Sequence, residues 1–223
     1  MRHGIFNLAG DSLAHAERRA QQGFSLIEVM ISVAVLAVLL GIGIPAIGDW
    51  IQNRQVNVLA ESIASGMRLA QTEAVQRNRQ IDMVFATSDV TTPANPMAAT
   101  LTIGGLAKTD PTPNWMVRVT GDTTSAGFIQ GKTGQDGSEN ARFSGPAGVG
   151  FSPLGRVNAS IAADGTTTAP AGNLVFKIVN PSVQSSLPNQ RCVYVSIGGA
   201  VRVCDPRAPS GDSRACVPAC SIP

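Results

Sequence analysis

One carboxylate governs what this chain can become. Glu28 opens an uncharged run, residues 29–48, that ends only at Asp49. About 20 predominantly apolar residues is the length a helix needs to cross a bilayer. A charge at the centre of a membrane helix costs about 2.5–3.5 kcal/mol, and intramembrane acids are usually paired, so Glu28 is expected to have a partner. Arg18 and Arg19 stand upstream. Basic flanks stay cytoplasmic, so the rest of the chain is expected beyond the inner membrane. A secretory signal fits poorly, because its apolar core is only about 7–15 residues long and precedes its cleavage site.

The helical pattern outlasts the apolar run. Leu59, Ile63, Met67, Ala70 and Ala74 fall on one face, while Gln55, Asn57, Glu61, Ser65, Arg68 and Gln71 fill the others. One helix from residue 25 to about residue 76 is predicted, its second half laying an apolar stripe on a domain. Gly41, Gly43 and Pro45 interrupt the first half. Proline removes a helical hydrogen bond and clashes with the preceding turn, and each glycine costs about 1 kcal/mol against alanine. A kink or a locally melted segment is predicted there.

Beyond the helix the chain reads as short strands joined by loops. Asn78 suits a left-handed helix cap. Strands are predicted at 80–86, 100–103, 115–120, 127–130, 142–144, 149–152, 156–161, 174–179, 192–197 and 200–204, with Gly198-Gly199 turning the last hairpin. The fold class is therefore α+β: a long N-terminal helix, transmembrane and then amphipathic, packed on a small antiparallel sheet domain. Aromatic residues make up only 4% of the chain, so a thin, aliphatic core is expected.

Composition argues against catalysis. Both histidines, His3 and His15, precede Gly23, so a chain beginning after that glycine lacks the commonest general base and metal ligand. No phosphate loop, paired-carboxylate motif or CxxC motif is present. The reading is of a non-enzyme without cofactor or metal. The balance of charge beyond Gly23 is near neutral, which gives no global field to attract nucleic acid.

Gly23-Phe24-Ser25-Leu26-Ile27-Glu28 resembles the class III signal of type IV pilins and type II secretion pseudopilins. The resemblance implies that a prepilin peptidase cuts between Gly23 and Phe24, that Phe24 is N-methylated, and that Glu28 meets the N-terminal ammonium of a neighbouring subunit during assembly. Such pairing makes each charge tolerable in low dielectric. The domains then read as a leader at 1–23, a transmembrane half-helix at 24–50, a pilin-like globular domain at 51–204 and a cysteine-containing tail at 205–223. Within that class the order of features is similar to the GspH/FimT family of minor pilins and pseudopilins, including FimT- and FimU-like members. It is carried by Ala74-Val75-Gln76-Arg77-Asn78-Arg79, Asn114-Trp115-Met116-Val117-Arg118-Val119, Phe151-Ser152-Pro153-Leu154-Gly155-Arg156 and the Cys192…Cys204 hairpin. The implied role is a minor pilin that helps prime or cap a type IV pilus. A GspH-like secretion pseudopilin and a FimT-like receptor for DNA in transformation are the alternatives. Implied partners are other pilins or pseudopilins, the prepilin peptidase, the inner membrane and, on the third reading, DNA.

The four cysteines, Cys192, Cys204, Cys216 and Cys220, lie close together near the C-terminus. They allow three connectivities, and an oxidising compartment favours disulfides over a four-thiolate metal site. Cys192 and Cys204 flank the Gly198-Gly199 turn almost symmetrically, so Cys192–Cys204 and Cys216–Cys220 are the predicted bridges. DNA binding in FimT-like proteins rests on a Gly-Arg-x-Arg element in the last hairpin. Here Gly199-Ala200-Val201-Arg202 lacks the first arginine. Arg191, Arg207 and Arg214 are candidates to supplement Arg202, since arginine binds phosphate readily. The plainer reading is four solvated surface groups.

Overall fold

A computed structural model describes residues 23–182 and 189–220, with backbone alone at residues 42–47 and 49. The predicted leader therefore lies outside the described residues except for Gly23. The elements in chain order are α1 (Leu26–Arg77), β1 (Ile81–Ala86), β2 (Gly104–Gly105), β3 (Asn114–Val119), β4 (Phe128–Lys132), β5 (Arg142–Ser144), β6 (Gly148–Phe151), β7 (Val157–Ile161), β8 (Thr167–Thr168), β9 (Leu174–Val179), β10 (Gln190–Val195) and β11 (Val201–Cys204). The chain divides into two compact units, one ending at Ile44 and the other beginning at Pro45.

In the first unit α1 exposes almost everything it carries. Phe24, Leu26, Ile27, Val29, Met30, Ile31, Val33, Val35, Leu36, Val38, Leu39 and Leu40 are all exposed. The backbone of Gly41, Gly43 and Pro45 is helical, which goes against the melted alternative of the kink or melted segment predicted there. One missing N–H at Pro45 leaves the helical bonds on either side intact, and cooperative propagation carries the helix across. Among the described residues no helix is long and apolar enough to cross a membrane. The apolar run described with its side chains stops at Gly41, and residues 42–47 of the expected span lie outside the described side chains.

The second unit has a closed core. Val56, Leu59, Ala60, Ile63, Ala64, Met67, Ala70 and Ala74 are buried on one side of α1, at the spacing that defines a helical stripe. All five stripe residues read from the sequence are among them. The stripe packs on two antiparallel sheets, ordered β4-β3-β1-β6-β7-β8 and β11-β10-β9-β5-β2. Ile81, Met83 and Phe85 of β1 alternate toward the helix, and Asp82, Val84 and Ala86 face away. Gly66 sets the approach of helix to sheet: a β-carbon there would lie 2.9 Å from Met83 Cε and 3.0 Å from the Trp115 ring. The Trp115 indole N–H then reaches Ser62 Oγ at 3.0 Å.

The core is not the aliphatic one expected. Phe85, Phe143, Phe151 and Phe176 are fully buried. Phe85 lies 4.2 Å from Phe143 and 5.5 Å from Phe176 between ring centroids. A low aromatic fraction is compatible with an aromatic core when those few rings are concentrated at the centre, where each buries the most area.

The outer face of the first sheet is covered by the segment between β1 and β2. Val90 packs with Val84, Ala86, Met116 and Ile161, and Ala99 and Leu101 border them. This segment takes the place of the strand predicted at 100–103: only Leu101 pairs, in an isolated bridge to Ala86. Arg118, buried in β3, donates through Nη1 to the Pro96 carbonyl at 2.7 Å and so fixes the segment on the sheet. Asp82 stands opposite Arg118 in the β1–β3 register.

Candidate functional site

Two regions carry the sequence-predicted site residues, and each is described within its own unit. In the first unit, Gly23 and Phe24 precede the helix in irregular backbone and both are exposed. Among the described residues, chain neighbours aside, no atom lies within 4 Å of where a Gly23 β-carbon would stand. Glu28 sits in the first turn of α1, where a carboxylate is favoured by the helix dipole. Phe24, Val29, Ser32, Val33 and Leu36 line a shallow groove with it. Ser32 Oγ donates to the Glu28 carbonyl at 2.7 Å, which leaves the Glu28 carboxylate outside that bond. The groove is therefore lined by apolar side chains, the Ser32 hydroxyl and one carboxyl group.

The second region is the hairpin β10–β11 and the tail that returns over it. Gly199 adopts φ +92° at the turn, a conformation open to glycine. The strands pair in register from Val195↔Val201 to Cys192↔Cys204. The Asp205 N–H donates to the Arg214 carbonyl at 2.7 Å, beside a parallel bridge to Ala215. The Tyr194 hydroxyl donates to the Pro218 carbonyl at 2.6 Å.

All four cysteines are bridged, but not as predicted. Cys192 bonds Cys220 and Cys204 bonds Cys216. Cys192 and Cys204 do stand opposite each other. Directly opposed residues on antiparallel strands hold their β-carbons about 4.5–5.5 Å apart, whereas a disulfide draws them to roughly 3.5–4.5 Å. The returning tail brings a better-placed sulfur to each. Cys192, Cys204 and Cys220 are buried with Tyr194, against Val175 and Cys216. The result is a small separate cluster of the four cysteines with Tyr194 and Val175.

Two of the four candidate arginines are paired with aspartates. Arg191 Nη1 bonds Asp205 Oδ2 at 2.9 Å, both partners being largely covered. Arg214 makes a forked contact with Asp212, with Nη2 2.8 Å and Nε 3.2 Å from its carboxylate oxygens. That contact holds the Asp212 carboxyl down at about 2. Arg202 and Arg207 remain exposed. Sequence reasoning missed the two aspartates as partners. The signal was present in Asp205-Pro206-Arg207 and Asp212-Ser213-Arg214, because an aspartate that turns the chain accepts from the backbone two residues on. Both do so, at 3.0 and 2.8 Å.

Comparison with known proteins covers the first region and, of the second, the chain up to residue 200. Residues 18–44 match the prokaryotic N-terminal methylation motif. Residues 59–200 match the model of the type II transport protein GspH family. A fimbrial protein of Moraxella nonliquefaciens is 39% identical over 67 residues, which cover 30% of this chain and 40% of that protein. The chain thus spans well under half the length of that relative. Among solved structures, the type IV minor pilin FimU of Pseudomonas aeruginosa is similar in two crystal forms. The identities are 14% and 13%, with TM-scores of 0.41 and 0.43. The alignments cover 70% and 73% of this chain and 94% and 95% of the FimU chains.

Proposed function

This chain belongs to the type II transport protein GspH family, and from that premise we propose that it is a minor pilin of a type IV pilus, acting at the filament tip to prime assembly. The observation that carries the proposal is the contrast between the two units. The second buries its helix stripe in its own core, while the first presents a helix exposed on every side, with Glu28 as its one charge before Asp49. An apolar surface of that extent is covered by lipid or by other proteins. Before assembly, residues 24–50 span the inner membrane and the second unit lies in the periplasm. Within a filament, the same helix packs among the helices of other subunits.

The maturation steps belong to this proposal. Prepilin peptidase removes residues 1–23, and Phe24 becomes the N-methylated first residue. Its ammonium and the Glu28 carboxylate of a neighbour neutralise each other in an apolar setting, where either alone is costly. The protein works by docking and catalyses nothing. A second reading, a pseudopilin of type II secretion, is favoured by the description of the family itself. DNA capture has less support, since Arg191 and Arg214 are engaged by Asp205 and Asp212.

A clean deletion strain separates the readings. Loss of surface pili after shearing, restored by the wild-type gene, supports the pilus role. Normal pili with loss of protein export overturns it in favour of secretion.

A further inference from the structure

We propose that this chain is a client of a thiol–disulfide isomerase, because its native bridges join the first cysteine to the last around an inner pair. The inference rests on export to an oxidising compartment, as argued above. A chain that emerges N-terminus first presents Cys192 and then Cys204 before the tail follows. Those two residues face each other across the β10–β11 hairpin, a local element that forms without the tail, and hairpins close in about 1–10 μs. An oxidant acting in order therefore closes Cys192–Cys204, drawing the two β-carbons together while the tail does not yet hold the strands. Cys216 and Cys220 are left to each other, only four positions apart. The native arrangement is instead Cys192–Cys220, a separation of 28, around Cys204–Cys216, a separation of 12.

Escape from the misbridged state requires a thiolate that this chain no longer has, since all four sulfurs are consumed. The isomerase supplies it. Its thiolate attacks Cys204 Sγ, forms a mixed disulfide and releases the Cys192 thiolate. That thiolate attacks Cys220 Sγ and releases the Cys216 thiolate. The Cys216 thiolate attacks Cys204 Sγ in the mixed disulfide and regenerates the isomerase thiolate. Each step exchanges one thiolate for another, so no net oxidant or reductant is needed. The fold drives the exchange forward. It clusters the bridged cysteines with Tyr194 and Val175, and it sets the Tyr194–Pro218 and Asp205–Arg214 hydrogen bonds once the tail is seated.

The test is the connectivity of the full chain, expressed in hosts with and without their periplasmic disulfide isomerase. Trypsin cuts after Arg191, Arg202, Arg207 and Arg214, so without reduction the two states differ. The native state links peptides 192–202, 203–207 and 215–223 in one species. The misbridged state links 192–202 to 203–207 and leaves 215–223 closed on itself. Without the isomerase, the three-peptide species should fall several-fold and the misbridged products replace it. Equal three-peptide yields in both hosts would overturn the proposal. The variant carrying Cys192→Ser and Cys220→Ser retains only Cys204 and Cys216, neighbours in the order, and should close equally in both hosts. Sensitivity of that variant would also overturn the proposal, by showing that order is not the cause. Free thiols throughout, in both hosts, would overturn the export reading instead. In that case the reduced full chain is reoxidised in detergent with and without purified isomerase, and unassisted formation of the three-peptide species at the same rate would overturn the pairing argument itself.

Discussion

Truncating Ile63 to alanine should separate the two jobs of α1. Ile63 is fully buried in the core between helix and sheets. Three apolar carbons are removed, worth roughly 0.8 kcal/mol each in transfer terms. The cavity left behind adds to this, and buried isoleucine-to-alanine changes cost about 2–5 kcal/mol. A loss of about 3 kcal/mol is expected. For a unit of this size each kcal/mol lowers the melting temperature by about 2–4 °C, so a drop on the order of 10 °C follows. Leu36→Ala is the control. Leu36 is 54% exposed and lies outside that core, so the same truncation should move stability by no more than about 0.5 kcal/mol. Thermal melts of the purified full chain in detergent micelles, followed through the buried Trp115, measure both. Leu36→Ala should instead reduce the amount of the protein in sheared filaments. If Ile63→Ala were within about 1 kcal/mol of wild type, or if Leu36→Ala matched it, the division of one helix into a core half and a docking half would be refuted.

Other perturbations test particular contacts. Gly66→Val should cost about 1–3 kcal/mol by overpacking, because the added carbons meet Met83 and the Trp115 ring; urea unfolding of the purified protein checks it. Burial raises the Asp82 carboxyl above its ordinary value of 3.8, against the lowering effects of Thr120, Gln80 and Arg118. Between the two values the native state holds the extra proton, so stability falls as pH rises from about 4 through that window. Asp82→Asn should remove this slope, visible in melting temperatures recorded from acid to neutral pH. Replacing Cys192 and Cys220 by serine opens a loop of separation 28 and should cost about 3 kcal/mol on the chain-entropy account. Thermal melts of the purified variant against wild type would report the loss. Glu28→Ala should leave cleavage after Gly23 intact and lower recovery in filaments, read by immunoblot of cell and sheared fractions.

The parts of the fold that sequence made legible are those set by periodicity. The stripe from Leu59 to Ala74 repeats over many turns, and its burial follows. Asn78, read as a left-handed cap, has φ 50°. Strands at 142–144 and 174–179 coincide with β5 and β9. The two-residue strand β8 was missed, because two exposed threonines carry no alternation to detect. The failure at 100–103 has a different origin. Thr100 to Ile103 alternates well enough for a strand, but β6 pairs with β1 only as far as Val84. The segment therefore meets β1 only at its end, through the Ala86–Leu101 bridge and the hydrogen bonds of Thr87 and Thr102. The chain before it lies as a cover, held by Arg118 to Pro96.

The cysteine reading erred, and the arginine reading left out the acids, for one shared reason. Both treated proximity in sequence as proximity of function. Around the hairpin, Cys192, Cys204 and Arg191 find their partners in the returning tail, whereas Arg214 bonds its own neighbour Asp212. Cys192 and Cys204 each bond a tail cysteine, and Arg191 bonds Asp205 where the tail begins. Four arginines in a short stretch suggest a phosphate site only while their acids are ignored. Once Asp205 and Asp212 are placed, two of the four charges are compensated within the hairpin and tail. The same residues then tie an irregular, proline-containing segment that has few backbone ladders of its own. A segment of that kind keeps its place through cross-links and ion pairs because it cannot do so through a sheet. Asp205→Ala should accordingly loosen the tail while freeing Arg191. If it strengthened binding of the chain to DNA in a salt titration, the compensated arginines would be a restrained site and not a structural one.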